Sequence, residues 1–256
     1  MSTSPTSLKA CIERADPDAP DLIAFLRESS LVDHPAGERL RRLAIAWEDV
    51  APFSTLQRIY ERAIAYDPKD AWLHASFGLA AVSHAQGTDG DASGLFDRAH
   101  AELALAAELA PDDPLIRSNQ GRALYFDPRR GASDAITPLT EAIALDPREP
   151  WARLYLAHAL HDLERWAEAV QAYEAVPLDG FRGGLQWRAD LLIEQRGLCR
   201  LRAGDREGAL TDLRHALVRY EKEPHLAAVG DARYLRDAAL SELQDRVDAL
   251  LQRISP

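Results

Sequence analysis

The feature that most constrains this chain is a pattern that returns about every 34 residues, the period of stacked helical hairpins. The copies read Ala44, Trp47, Tyr60, Ala63, Pro68, then Gly78, Ala99, Leu103, Ala106, Pro111. They continue with Gly121, Ala135, Leu139, Ala142, Pro147, and close with Gly197, Gly204-Asp205, Ala209, Leu213, Ala216. A fixed period of this length means that one supersecondary unit repeats, and that no unit can bury its apolar face without a neighbour. Stacks of this kind bind other proteins and rarely carry out chemistry. The pattern therefore names a class of activity and not a partner.

Each unit shows two helix-period segments separated by a break. Leu40, Leu43, Ala44 and Trp47 form one stripe at spacings of three and four, and Leu56, Ile59, Tyr60 and Ala63 form the next. Asp70, Asp113 and Glu149 stand where a helix N-terminus wants an acceptor or a negative charge. Pro114 and Pro150 follow at first helical positions, where a missing N–H costs nothing. Gly78, Gly121 and Gly197 have a steric reason, since a larger side chain at those places would push paired helices apart.

With small and aromatic residues at these positions, the units resemble tetratricopeptide repeats over about 37–223. The resemblance implies an all-α, right-handed α-solenoid of helix-turn-helix repeats at 37–70, 71–113, 114–149, 150–183 and 190–223. Residues 1–36 are expected to form an N-terminal arm with capping helices, and 224–256 a C-terminal capping helix. The stripe Leu240, Leu243, Val247, Leu250 and Ile254 in that last segment has a second reading, a coiled-coil seam joining two copies as a homodimer. Departures from the pattern are Leu56, Val176 and Phe181, and about nine residues beyond the usual period around Gln86–Gly94.

In this family the first helix of each unit lines a concave groove. Alignment of the units places Arg41, Trp72, Ser118, Asn119, Arg122, Tyr125, Trp151, Tyr155, His158, His161 and Glu194 there as partner-binding residues. An amide can pair with an extended backbone, arginine offers a fork to carboxylate, and aromatics supply buried area at low entropy cost. Repeats that clamp the acidic tails of heat-shock chaperones need two basic residues and two asparagines, and the aligned set Arg41, Ile45, Ser76, Leu115, Asn119 supplies one match. The chain is not expected to be such a clamp.

Two patterns raise metals. Asp89, Asp91, Ser93 and Asp97 resemble the oxygen ligands of a calcium loop, but His100 stands where a bidentate Glu is needed, so a flexible acidic loop is the expected state. His158, His161 and Asp162 share a helix face without an evident third strong ligand, so groove contacts are favoured over a transition metal. No metal or other cofactor is expected. No phosphate-cradling loop, nucleophile elbow or zinc-protease motif occurs, and Cys199 is expected to be a buried thiol, so the chain is not expected to be an enzyme.

The remaining totals narrow the partner. A net charge of −11 repels a phosphate backbone at long range, which argues against nucleic acid. No apolar run approaches the roughly 20 residues that span a bilayer, and Met1–Ser7 lacks the basic start and apolar core of a signal peptide. Only Cys11 and Cys199 are present, which fits a reducing cytoplasm, and scarce lysine beside abundant Ala and Arg suggests a GC-rich bacterial source. The expected function is a cytoplasmic adaptor that takes an extended peptide or helix of a partner protein into its groove. The alternatives are a ligand- or metal-regulated sensor and a self-assembly module built on the C-terminal helix.

Overall fold

The computed structural model describes residues 34–48, 51–180, 187–225, 227 and 240–254. The N-terminal arm with Cys11, and the Gly183-Gly184 connector, lie outside the described residues. Among those described there are eleven α-helices and no strand. They fall into two compact units, residues 1–130 and 131–256.

The first unit holds α1 (Ala36–Trp47), α2 (Phe53–Tyr66), α3 (Ala71–Gln86), α4 (Ser93–Leu109) and α5 (Pro114–Phe126). α1 pairs with α2 and α3 with α4, while α3 also packs on α1, α2 and α5. That crowding explains why α3 is apolar almost all round: Leu73 to Gly78 are buried without a break, as are Ala80, Ala81, Val82 and Ala85. Tyr60 of α2 stacks on Phe77 of α3 at 5.2 Å and 13°. Gly78 faces α4, where an added Cβ would stand 2.7 Å from Leu103 Cγ and 3.2 Å from the Ala99 carbonyl oxygen. The glycine is therefore needed for the approach of the two helices.

The second unit holds α6 (Ala132–Leu145), α7 (Pro150–Asp162), α8 (Trp166–Glu174), a 3₁₀ turn at Leu178–Gly180, α9 (Trp187–Arg202), α10 (Arg206–Lys222) and α11 (Gln244–Ile254). Each helix packs on the next in chain order. Leu154, Ala157, Ala169, Tyr173, Leu192 and Cys199 form one core, and Leu213, Leu217, Tyr220, Leu243, Val247 and Leu250 belong to a second. Gly197 repeats the role of Gly78, with Leu213 Cγ 2.9 Å from where a Cβ would be. Beside it the buried Asp212 receives both N–H groups of the Arg196 fork (2.8 and 2.7 Å) and one from Arg200 (2.9 Å), tying α9 to α10.

Helix ends follow the chemistry of their residues. Asp70 accepts from Trp72 N, Asp113 from Leu115 N and Ile116 N, and Glu149 from Trp151 N and Ala152 N. The α7–α8 and α9–α10 turns share one geometry. Arg165 N donates to Leu160 O and Glu164 N to His161 O (both 2.9 Å), matched by Asp205 N to Arg200 O (2.8 Å) and Gly204 N to Leu201 O (3.1 Å). The left-handed residue is Gly204 (φ 90°) in one turn and Glu164 (φ 57°) in the other.

The C-terminal stripe is covered within the chain. Leu243, Val247 and Leu250 are buried in the cluster formed with α10, and Arg246 closes the contact with two hydrogen bonds to Glu221 (2.8 and 2.7 Å). Arg206 adds a pair to Glu242 at 2.6 Å.

Candidate partner-binding site

In the second unit, α7 and α9 present aromatic rings and a guanidinium together. Capping by Glu149 with Pro150 at the first position sets Trp151 in the opening turn of α7. Its ring stacks on Tyr155 one turn later, at 6.3 Å and 22°. Trp187 opens α9, and the next residue, Arg188, places its guanidinium 4.6 Å from the Trp187 ring and 5.0 Å from the Trp151 ring. A cation held by two indoles gains roughly 0.5–1 kcal/mol per exposed contact and more where water is excluded, so the three side chains order one another. All three are half-buried. The result is a preformed, partly exposed aromatic and cationic surface.

Behind it lies a polar latch. The Tyr173 hydroxyl on α8 is 2.9 Å from His158 Nδ1, 3.3 Å from His161 Nδ1, and donates to Gln195 Oε1 at 3.4 Å. With the single phenol proton directed to Gln195, both imidazoles satisfy the oxygen by donating from Nδ1. Burial of His158 between Tyr155 and Tyr173 pushes its pKa down to about 3, and His161 and Arg188 push the same way. One helix on, the Tyr220 hydroxyl donates to the fully buried Glu194 at 2.8 Å, and burial with the Glu194 charge raises the phenol far above its ordinary pKa. Burial, aided by the charge of Asp162, lifts the Cys199 thiol to about 12, which removes its nucleophilicity.

Of the residues expected to line the groove, four have little exposed surface. Ser118, Tyr155, His161 and Glu194 are buried, at 2, 2, 9 and 0% exposure, and two of them bond to a neighbouring helix, His161 to Tyr173 and Glu194 to Tyr220. The reason is that first helices here pack on more than one neighbour, so a stripe of given spacing can face another helix. Trp72, Asn119, Arg122, Tyr125, Trp151 and His158 are half-buried. Within the first unit Arg41 is engaged by Glu38 (2.6 and 2.7 Å) and donates to Ser76 Oγ (3.2 Å). Arg122 lies over the Phe126 ring at 5.9 Å, and Tyr125 meets that ring edge-on at 5.2 Å. Trp187 and Arg188 were missed, because the unit was expected to start at residue 190. Their signal was present: Trp187, Leu191, Glu194 and Leu198 continue one helical stripe.

Only the first part of the calcium-loop pattern, Asp89 to Ala92, is irregular chain. Ser93 to His100 lie in α4, Asp97 pairs with Arg129 at 2.9 Å, and His100 Nε2 meets Asp127 at 3.0 Å. Among the described residues no group of three or more His, Cys, Asp or Glu side chains is placed to hold a metal.

Comparison with known proteins decides the fold. Residues 132–189 match the family model of the tetratricopeptide repeat. Residues 132–189 carry tetratricopeptide-repeat sequence. The matched segment runs from α6 through α8 to the opening of α9, and so includes Trp151, Trp187 and Arg188. Solved structures agree across most of the chain. The protein TTC0263 of Thermus thermophilus, described as a thermophilic TPR protein, shares 17% identity over 78% of this chain and 98% of its own, with a TM-score of 0.56. PilF of Pseudomonas aeruginosa shares 17% over 87% and 92%, with a TM-score of 0.58. YrrB, described as a TPR protein with an unusual peptide-binding site, shares 16% over 90% and 99%, with a TM-score of 0.50. No curated protein matches the chain in sequence. Among the described residues no helix is long and apolar enough to cross a membrane.

Proposed function

We propose that this chain is a protein-recognition module that engages a segment of a partner protein through the first helices of its repeats. Tetratricopeptide repeats generally mediate binding between proteins, and YrrB is described as having a peptide-binding site. The observation that carries the reading is the Trp151–Arg188–Trp187 arrangement. Interface anchors are enriched in Trp, Tyr and Arg, and an ordered, half-exposed cluster loses little entropy on binding. The partner would lay an apolar or aromatic side chain on the indoles and a polar group against the guanidinium edge. The buried Tyr173 and Tyr220 latches would hold α7 and α9 in place for it. Recognition alone is the mechanism. Because contacts of this kind are short-ranged, they act despite the net charge of −11, which disfavours acidic partners at a distance.

The reading is tested with Trp187→Ala and Arg188→Ala in the full chain, each checked by circular dichroism. Proteins retained from the source organism's extract are quantified against wild type. The expected result is one partner whose recovery falls about tenfold or more in both variants, the loss typical of a central anchor. Unchanged recovery of every retained protein would move the interaction off α7 and α9.

A further inference from the structure

The α3–α4 connection, where the chain exceeds the repeat period, builds a second feature in the first unit. Thr88, Gly90 and Asp91 of that connection face Phe96 of α4, Phe126 at the end of α5 and Arg129 of the following turn, around a cavity of about 300 Å³. That is the small end of ligand-sized clefts, which run roughly 300–1,000 Å³, and it suits a side chain. Its floor is apolar, since Phe96 is buried and Phe126 half-buried. One wall is fixed: Arg129 gives its fork to Asp127 (2.9 and 2.8 Å) and reaches Asp97 at 2.9 Å. Those two carboxylates offset its charge, although part of it still reaches Asp91.

Asp91 lines the cavity, and the exposed Asp89 lies two residues before it in the chain. Asp89 and Asp91 are exposed on either side of Gly90, whose φ of 116° suits glycine alone. Asp91 accepts from Ser93 N at 2.8 Å, and neither aspartate makes an ion pair among the described residues. We infer that this cavity is a docking site for a partner-protein segment that carries one bulky apolar side chain next to Lys or Arg. The apolar side chain enters over Phe96 and Phe126, and the cation meets Asp89 and Asp91. This surface is separate from α7 and α9, so it goes beyond the function proposed above and stands or falls without it.

The test uses the full chain, labelled with ¹⁵N, and two synthetic peptides, acetyl-Gly-Phe-Lys-Arg-Gly-amide and acetyl-Gly-Phe-Glu-Glu-Gly-amide. The expected result is saturable amide shifts at Gly90, Ser93 and Arg129 with the basic peptide, and about tenfold weaker binding of the acidic one, the sum of two exposed charge pairs reversed. Asp89→Lys should erase several-fold of that preference, and Ala92→Trp, which fills the cavity, should abolish the shifts. The inference is overturned by an absence of shifts at those amides, by equal binding of both peptides, or by a preference that Asp89→Lys leaves intact. Shifts of the same amides on concentrating the chain without peptide would make a second copy the occupant, and would overturn it too.

Discussion

At the scale of single residues, the strongest physical commitments are groups whose protonation the fold opposes. His158, half-buried between Tyr155 and Tyr173, stays neutral down to about pH 3, whereas an unfolded histidine takes up a proton near pH 6.5. Between those values the unfolded chain binds the extra proton. Stability from this group is therefore complete above pH 6.5 and falls as pH drops towards 3, by up to about 1.4 kcal/mol per pH unit. His158→Gln should flatten that part of the profile in urea titrations across pH, and a slope identical to wild type would show that the ring is solvated. Asp127 behaves in the opposite chemical sense but with the same pH direction. Its carboxylate is held by Arg129, its own turn and His100, well below the usual carboxylate range. Asp127→Asn should cost about 1–3 kcal/mol near neutrality, and the cost should shrink as pH falls below about 4, because the unfolded chain takes up this proton while the folded carboxylate stays charged.

At the scale of elements, the repeats are governed by close approaches and by turns. Adding a Cβ at Gly78 meets the middle of Leu103 and the Ala99 carbonyl, which cannot both move away. Overpacking of this kind costs about 1–3 kcal/mol, more than the roughly 1 kcal/mol that alanine gains in a helix. Gly78→Ala should lower the urea midpoint, and an unchanged or raised midpoint would mean that α3 and α4 can separate freely. The α7–α8 turn offers the reverse case. Glu164 adopts the left-handed conformation that Gly204 supplies in the matching turn, at a cost of about 1–2 kcal/mol. Glu164→Gly should stabilise the second unit by about 0.5–1 kcal/mol after the added freedom of the unfolded chain is subtracted. These features were legible in the sequence because they act locally. Asp70, Asp113 and Glu149 cap the helices that follow them whatever lies elsewhere, and a glycine at a fixed repeat position signals contact between two adjacent helices.

At the scale of the whole molecule, the repeat class was legible, and the surface much less so. Trp151 and Tyr155 occupy the same stripe of α7 at a spacing of four, yet Trp151 is half-exposed and Tyr155 is 2% exposed. The difference comes from α8 and α9 packing beside them, which no periodicity within α7 reports. Trp187 and Arg188 escaped for a related reason: they follow the Gly183-Gly184 break, and only the course of α9 shows that they belong to a helix. In the sequence the α3–α4 insertion stands out for its oxygen ligands, while its place in the fold is the wall of a cavity closed by Phe126 and Arg129 from later in the chain. The central claim, that the Trp151–Arg188–Trp187 surface receives a partner protein, is tested most directly by photo-crosslinking in the source organism. Benzoylphenylalanine replaces Trp187 in one full-length variant and the exposed Leu105 of α4 in another. The account requires a crosslinked adduct to one partner protein from position 187 and none to that protein from position 105; an adduct from 105 alone would contradict it.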